Sequence, residues 1–267
     1  MDFYKKTWLN LFARQRFGKL NKSLLRRGLA GLGIDDYGPR SEKGERRLLM
    51  RLTQTLPQNG IVYDVGAYKG SYACYLAASR PDLIIHGFEP NPKVIEELTV
   101  NARGRFAIHS FALGDQECEA NLYDPDLQGG SEGASLIEAA VDAIYKNNGK
   151  RLLPIHVKTL DKVSEGLGTK YIDYLKIDTE GYDYKVLRGG AKLIKEDRLG
   201  IIQFEFNTMN VFSRIFMYDF YQILPRHRFY RIVQDGLVSL GEYNSPTVEL
   251  FGYQNIVAFP NGQTPLT

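Results

Sequence analysis

Two cysteines, Cys74 and Cys118, are too few in 267 residues for a disulfide framework, and they stand at no zinc-ligand spacing. They read as free thiols of a reducing compartment. Four scattered histidines, His86, His109, His156 and His227, form no HxxxH pair. No run approaches the ~20 apolar residues of a membrane span. No charged, apolar, small-residue leader precedes the domain, so a cytoplasmic protein is expected. Charge of one sign is also lacking: a net +3 does not indicate a nucleic-acid partner. There is no internal repeat and no low-complexity tract. What is present is ordinary for a soluble globular chain, 43% hydrophobic and 24% charged, with a length suited to one large domain or two small ones.

The chain divides into a basic, partly helical extension over residues 1–45 and a main domain over 46–267. Lys5, Lys6, Arg14, Arg16, Lys19, Lys22, Arg26 and Arg27 stand against Asp2 alone. Trp8, Leu11 and Phe12 fall at helical spacing among them. Such a segment can lie on an anionic membrane surface, or pack on its own domain or a second subunit. Gly28 to Gly38 reads as a joint, and "RRLLMRLTQTL" as a helix leading into the main domain.

From residue 60 short apolar runs alternate with helical patterns. "GIVYDVGA", "LIIHGFEP" and "RFAIHSFAL" read as strands, with helices at "SYACYLAASR" and "KVIEELTVNA" between them. Repeated βα units predict a parallel sheet covered on both faces. "DYLKID" and "LGIIQFEFN" continue it, with a helix from Met217 to Leu224. "RFYRIVQDG" and "QNIVAFP" lack a helix between them and predict a closing hairpin or irregular link. The excursion from Asp124 to Pro154 holds a flexible polar "GGSEGASL" and a helical "IEAAVDAIY", followed by an edge strand at "IHVKTLDK". An excursion of this length on an α/β sheet is a lid or substrate loop.

Chemistry gathers at the strand ends. Asp64, Gly66 and Gly70 form the first strand-to-helix turn, where glycines let a ligand approach the backbone. Glu89 ends the second strand and can accept hydrogen bonds from both ribose hydroxyls. A dinucleotide turn needs GxGxxG, but Tyr68 and Ser71 occupy its second and third glycine positions, which disfavours a nicotinamide dehydrogenase. Asp-x-Gly-x-x-x-Gly suits S-adenosylmethionine, which has no pyrophosphate to cradle.

"VYDVGAYKGSYA", "FEPNP", "ALGD", "LKIDTEGYDYKVLRGG" and "QNIVAFP" together resemble the FkbM-type S-adenosylmethionine-dependent methyltransferases, in order from about residue 60 to 260. The resemblance implies a Rossmann-like class I methyltransferase α/β fold. Its mostly parallel seven-stranded sheet would have helices on both faces and an antiparallel last strand. It also implies O-methylation, often of sugar hydroxyls in glycans or glycosylated metabolites. Carried over by position, Asp64, Gly66, Ala67 and Gly70 would surround the methionine moiety. Glu89, with Pro90 and Asn91, would hold the ribose. Ser110, Phe111 and Ala112 would sit near the adenine, with Asp115 of "ALGD" as a lesser candidate. Tyr68 departs from the family, which commonly has Asn there.

Methyl transfer to a hydroxyl requires alignment, exclusion of water and removal of a proton. Asp178, which also borders the cofactor, and Glu205 end neighbouring strands and are the expected bases. Glu180 is divided between touching substrate, orienting Asp178 and favouring a helix start. Asp183 is expected to be structural. Asp178, Glu205 and Asn207 would offer hard oxygen ligands to Mg²⁺ or Mn²⁺ if a metal assists. The aromatic residues Phe212, Phe216, Tyr218, Phe220 and Tyr221 can stack on a sugar or fill the core, and "RHRFYR" reads as a solvated basic edge. A protein that binds an S-adenosyl ligand as a scaffold, without catalysis, is the alternative.

Overall fold

The computed structural model describes residues 3–35, 39–146 and 149–265. Its strands are β1 (Ile61–Val65), β2 (Ile84–Phe88), β3 (Ala107–His109), β4 (Ala112–Gly114), β5 (Cys118–Asp124), β6 (Arg151–Thr159), β7 (Ile172–Ile177), β8 (Leu199–Phe206), β9 (His227–Val233), β10 (Gly236–Ser239) and β11 (Gln254–Pro260). The main sheet runs β10-β9-β11-β8-β7-β1-β2-β3. β1 is central and pairs in parallel with β2 and β7. β11 enters antiparallel between β8 and β9.

The sheet thus has the expected mostly parallel order and antiparallel last strand, with eight strands where seven were expected. The extra one is β10, which folds back on β9 as a hairpin edge. A short helix, Ser245–Val248, then leads into β11.

Adjacent residues on each central strand point to opposite faces. Tyr63, Leu175 and Ile202 join one core with Val186, Leu187 and Phe220. Val62, Tyr174 and Ile201 join the other, with Ala73, Leu76, Leu48 and Leu52. Every residue of β8 is buried, which fits its apolar character apart from Gln203 and Glu205.

The helix Pro39–Thr55 covers the second face through Leu48, Leu49 and Leu52. It crosses the division placed at residue 45, so the end of the extension is continuous with the body. The joint expected from Gly28 begins later, because the helix Gly18–Gly31 runs through it; residues 36–38 lie outside the described residues.

The third strand pattern splits in two. β3 ends the main sheet at His109, and β4 restarts in a smaller sheet ordered β4-β6-β5. The predicted edge strand at "IHVKTLDK" lies in the middle of that sheet, because β4 pairs with it on one side and β5 on the other. Nor is "GGSEGASL" held loosely. The buried Asp124 carboxylate accepts the N–H groups of Asp126, Gly130 and Ser131 and folds the loop around itself. The aromatic run mainly serves the core: Phe220 stacks on Phe204 at 4.2 Å, while Phe216 and Tyr218 are exposed away from the cleft. Arg231 of the basic edge is buried and donates to Gln254 at 2.7 Å.

Candidate active site

The carboxyl ends of β1, β2, β7 and β8 open into one crevice with two lobes. The narrow lobe spans about 680 Å³ and the wide lobe about 1970 Å³, both counted with the space open to solvent. Gly66, Tyr68, Glu132, Asp178 and Glu180 border both.

The first turn is built for contact with the strand beside it. Gly66 has φ +79°, and a Cβ there would fall 1.8 Å from the Asp178 carbonyl oxygen. Gly70, at φ +83°, starts the helix Ser71–Ser79 against Leu98. Tyr68 takes φ +47°, a conformation that asparagine tolerates better than tyrosine. In that geometry its N–H donates to Glu89 at 2.9 Å, while its hydroxyl reaches the Gly130 carbonyl at 3.2 Å. The departure at Tyr68 therefore ties the turn to the excursion loop.

In the narrow lobe Glu89 accepts N–H groups from Tyr68 and Asn91. Burial outweighs these bonds and lifts its carboxyl to about 7. Phe88, Phe111, Ala112, Leu113, Leu122 and Leu136 supply apolar walls around it. A slot with apolar walls around Glu89, bordered by Glu132, Asp178 and Glu180 where it meets the wide lobe, fits an adenosine group. Pro90, Phe111 and Ala112 line this lobe as expected.

Asn91 and Ser110 are placed differently. The Asn91 side chain caps the helix Pro92–Ala102 and donates to Asp124, so it is spent within the fold. Ser110 is exposed at the crossing between the two sheets. Gly70 shapes the turn from behind the crevice. His86 and His109 are 3.1 Å apart between ring nitrogens, and His109 stacks on Phe88, which accounts for both as core residues.

Asp64 lines the wide lobe with Ala67. It is only 2% exposed, and neither of its carboxylate oxygens has a hydrogen-bond partner. A buried carboxylate in that condition fits the α-ammonium of a methionine moiety. Lys176 is the nearest cation, at 3.9 Å, and holds Asp178 more closely at 2.8 Å. Burial disfavours the Lys176 charge, but Asp178 and Asp64 more than offset this and keep it protonated. The sequence reading missed Lys176, although a lone lysine inside the apolar "YLKID" was a visible signal.

Asp178, Glu180 and Glu205 bring carboxylate oxygens within 4.8 Å of one another. Burial raises Glu180 to about 8, helped by Asp178 and Asp183. Glu205 is raised well above the ordinary carboxylate range, first by burial and then by Asp178 and Glu180. Glu180 stands at φ +53° ahead of the helix Asp183–Arg188, so it does not occupy that helix's first turn. Asp183 is buried and structural: it accepts from the Thr179 hydroxyl and the Glu205 N–H. Asn207 stands beside the acids but is engaged locally, donating to Glu205 and accepting the Met209 N–H. Among the described residues Glu180 joins Asp178 and Glu205 in a three-acid cluster, with Asn207 beside it. Its hard oxygens fit Mg²⁺ or Mn²⁺ in kind.

The wide lobe also draws on residues far along the chain. Glu45 accepts the Tyr72 hydroxyl at 2.6 Å and the Asn255 amide. The Lys176 ammonium lies 4.6 Å from the Tyr72 ring centre. Glu42, Glu45, Tyr72 and Tyr253 all line this lobe, and no local motif announces them.

The methyltransferase FkbM domain model matches residues 64–232. Three characterised relatives are similar over part of the chain. The hexuronic acid methyltransferase AglP of Haloferax volcanii is 21% identical over 166 residues, covering 61% of this chain and 64% of that protein. The methyltransferase sdnD of Sordaria araneosa is 28% identical over 163 residues, 50% of this chain and 61% of that protein. The AMB antimetabolite synthetase AmbE of Pseudomonas aeruginosa is 28% identical over 165 residues, 50% of this chain and 8% of that protein. The chain thus spans less than two thirds of the length of each.

Proposed function

The chain belongs to the FkbM methyltransferase family, and we propose that it transfers a methyl group from S-adenosylmethionine to a hydroxyl of a sugar-like acceptor. The observation that carries this reading is the position of Asp178 and Glu180, which border both lobes, with Glu205 beside them. With adenosine in the narrow lobe and the methionine ammonium at Asp64 in the wide one, the donor would bridge the two lobes, and Asp178 and Glu180 would border the place where an acceptor meets it.

When bound, S-adenosylmethionine supplies an activated methyl on a sulfonium. The chain's residues do the rest. Glu89 receives ribose hydroxyls, and the Phe111–Leu113 wall packs on the base. Asp64 receives the ammonium. Glu205 and Glu180, whose raised proton affinity makes them strong bases once ionised, take the acceptor proton. Lys176 holds Asp178 in place.

The wide lobe is lined by Glu42, Glu45, Glu132, Glu180 and Glu205, with Lys176 as a cation among them. That field favours a neutral hydroxyl-bearing acceptor over a carboxylate. AglP's action on a hexuronic acid supports a sugar, and the lining supports a hydroxyl as the methylated group. Calorimetric titration with S-adenosylhomocysteine, followed by labelled-methyl transfer to neutral and uronic sugars, tests the reading. Absence of S-adenosylhomocysteine binding would end it. Binding without transfer to any sugar hydroxyl would leave the scaffold role.

A second reading, a divalent metal at Asp178, Glu180 and Glu205, rests on their closeness. Lys176 already answers Asp178 and weighs against it. Chelation by EDTA separates the two: turnover persists if carboxylates alone serve, and stops until Mg²⁺ returns if a metal is required.

A further inference from the structure

The segment ahead of the catalytic body has a composition and surface of its own. Residues 3 to 34 hold eight of the chain's 34 cations and none of its 31 acids. The rest of the chain, with 26 cations against 31 acids, is therefore net negative. Charge is segregated along the chain, although the total is close to balanced.

The same segment leaves apolar side chains in solvent. Trp8, Leu9 and Leu11 of the helix Phe3–Phe12 are 43%, 45% and 52% exposed. Leu20, Leu24 and Leu25 of the helix Gly18–Gly31 are 43%, 40% and 61% exposed. At helical spacing Leu20 and Leu24 share one flank with Leu25 toward its edge and Arg27 beside it, and Lys19, Lys22 and Arg26 cluster on the opposite side. The two helices are tied together: Asn21 donates to the Phe12 carbonyl at 2.9 Å, and Phe12 packs on Trp8 and Phe17.

We infer that this helical arm docks the protein on an anionic lipid surface. An interfacial helix needs an apolar face that enters the acyl boundary and a basic face that meets lipid headgroups, and the arm presents both. A neutral apolar partner would leave eight cations unanswered, and a purely acidic partner would leave the leucines and Trp8 in water. The net-negative body would be repelled by the same surface, which turns the arm toward the bilayer.

The arm is also fixed beside the crevice. Ile34 is buried, and Asp35 exchanges hydrogen bonds with Tyr253, its N–H donating to the Tyr253 carbonyl and its carboxylate accepting the Tyr253 N–H. Tyr253 lines the wide lobe. Docking therefore holds the lobe's mouth close to the membrane surface.

Flotation of the full chain with vesicles tests the inference. Vesicles of phosphatidylcholine and phosphatidylglycerol should carry roughly tenfold more protein than vesicles of phosphatidylcholine alone, and high salt should release it. The variant K19E/K22E/R26E/R27E should lose this binding while keeping its circular dichroism and its affinity for S-adenosylhomocysteine. The variant L20S/L24S/L25S, with all charges kept, should bind more weakly than the parent. Equal binding to both vesicle types, or no binding to either, would overturn the inference. So would unchanged binding after charge reversal. A dimer in solution that the leucine variant dissociates, with vesicles left unbound, would assign the face to a second copy instead.

Discussion

The two lobes of the crevice share a border yet have opposite chemistry. The narrow one has mainly apolar walls around Glu89 and meets Glu132, Asp178 and Glu180 at the shared border, while the wide one adds Glu42, Glu45, Asp64 and Glu205 with Lys176 among them. A donor that arrives activated needs only to be recognised, and shape with a few hydrogen bonds achieves that. An acceptor hydroxyl must also lose a proton, which calls for bases with raised proton affinity. On the proposed reading, burial and repulsion by Asp178 give Glu180 and Glu205 that affinity.

Breaking the shared border should abolish the distinction altogether. Gly66→Ala would place a methyl group against the Asp178 carbonyl, in a backbone conformation that alanine avoids. Both S-adenosylhomocysteine binding and turnover should fall below detection, with calorimetry and a labelled-methyl assay as readouts.

Glu205→Gln should separate the lobes. We expect a loss of kcat of about 10²–10⁴-fold, with S-adenosylhomocysteine affinity within about threefold of the parent, because the proposed donor contacts are Glu89, the Phe111–Leu113 wall and Asp64, and Glu205 is not among them. An equal loss in both would mean that Glu205 supports the fold and not the chemistry. Glu89→Ala should do the reverse, weakening S-adenosylhomocysteine by roughly 10- to 100-fold through lost hydrogen bonds to a charged group. Titration of the variant decides it.

The smallest effect concerns pH. Glu180 is held at about 8 when folded, against an ordinary 4.5. Across that window the folded state binds a proton that the unfolded state releases. Its contribution to stability is therefore complete below 4.5 and is lost as pH rises through about 8. Denaturant midpoints of the ligand-free protein should fall over this interval, and Glu180→Gln should flatten the fall. Turnover should rise over the same interval, because the bases must be ionised to act.

Much of this was legible in the sequence. The apolar runs at residues 61–65, 84–88, 172–177 and 199–206 are strands where they were expected. Gly189 and Gly190 separate the helix Asp183–Arg188 from the helix Ala191–Lys195, and Gly189 packs so closely that a Cβ there would meet the Gly114 carbonyl at 2.0 Å. Asp178, Glu180 and Glu205 stood out because acids at the ends of apolar strands are costly unless something is done with them. Asn207 was expected as a ligand because it ends the same strand as Glu205, and the structure shows its amide engaged by Glu205 and the Met209 N–H. Ser110 was misjudged because a single apolar run concealed two strands belonging to different sheets.

The sequence by itself determined the alternation of strand and helix, the glycine turn and the acids at the strand ends. These depend on backbone preference and burial over a few residues. Only the tertiary structure decided that Glu45, Tyr72, Lys176 and Tyr253, far apart in the chain, form one wall. Only it decided that Glu180 completes the acidic cluster. Such placement comes from sheet order and from packing on both faces, and those depend on contacts between distant segments that no local pattern records.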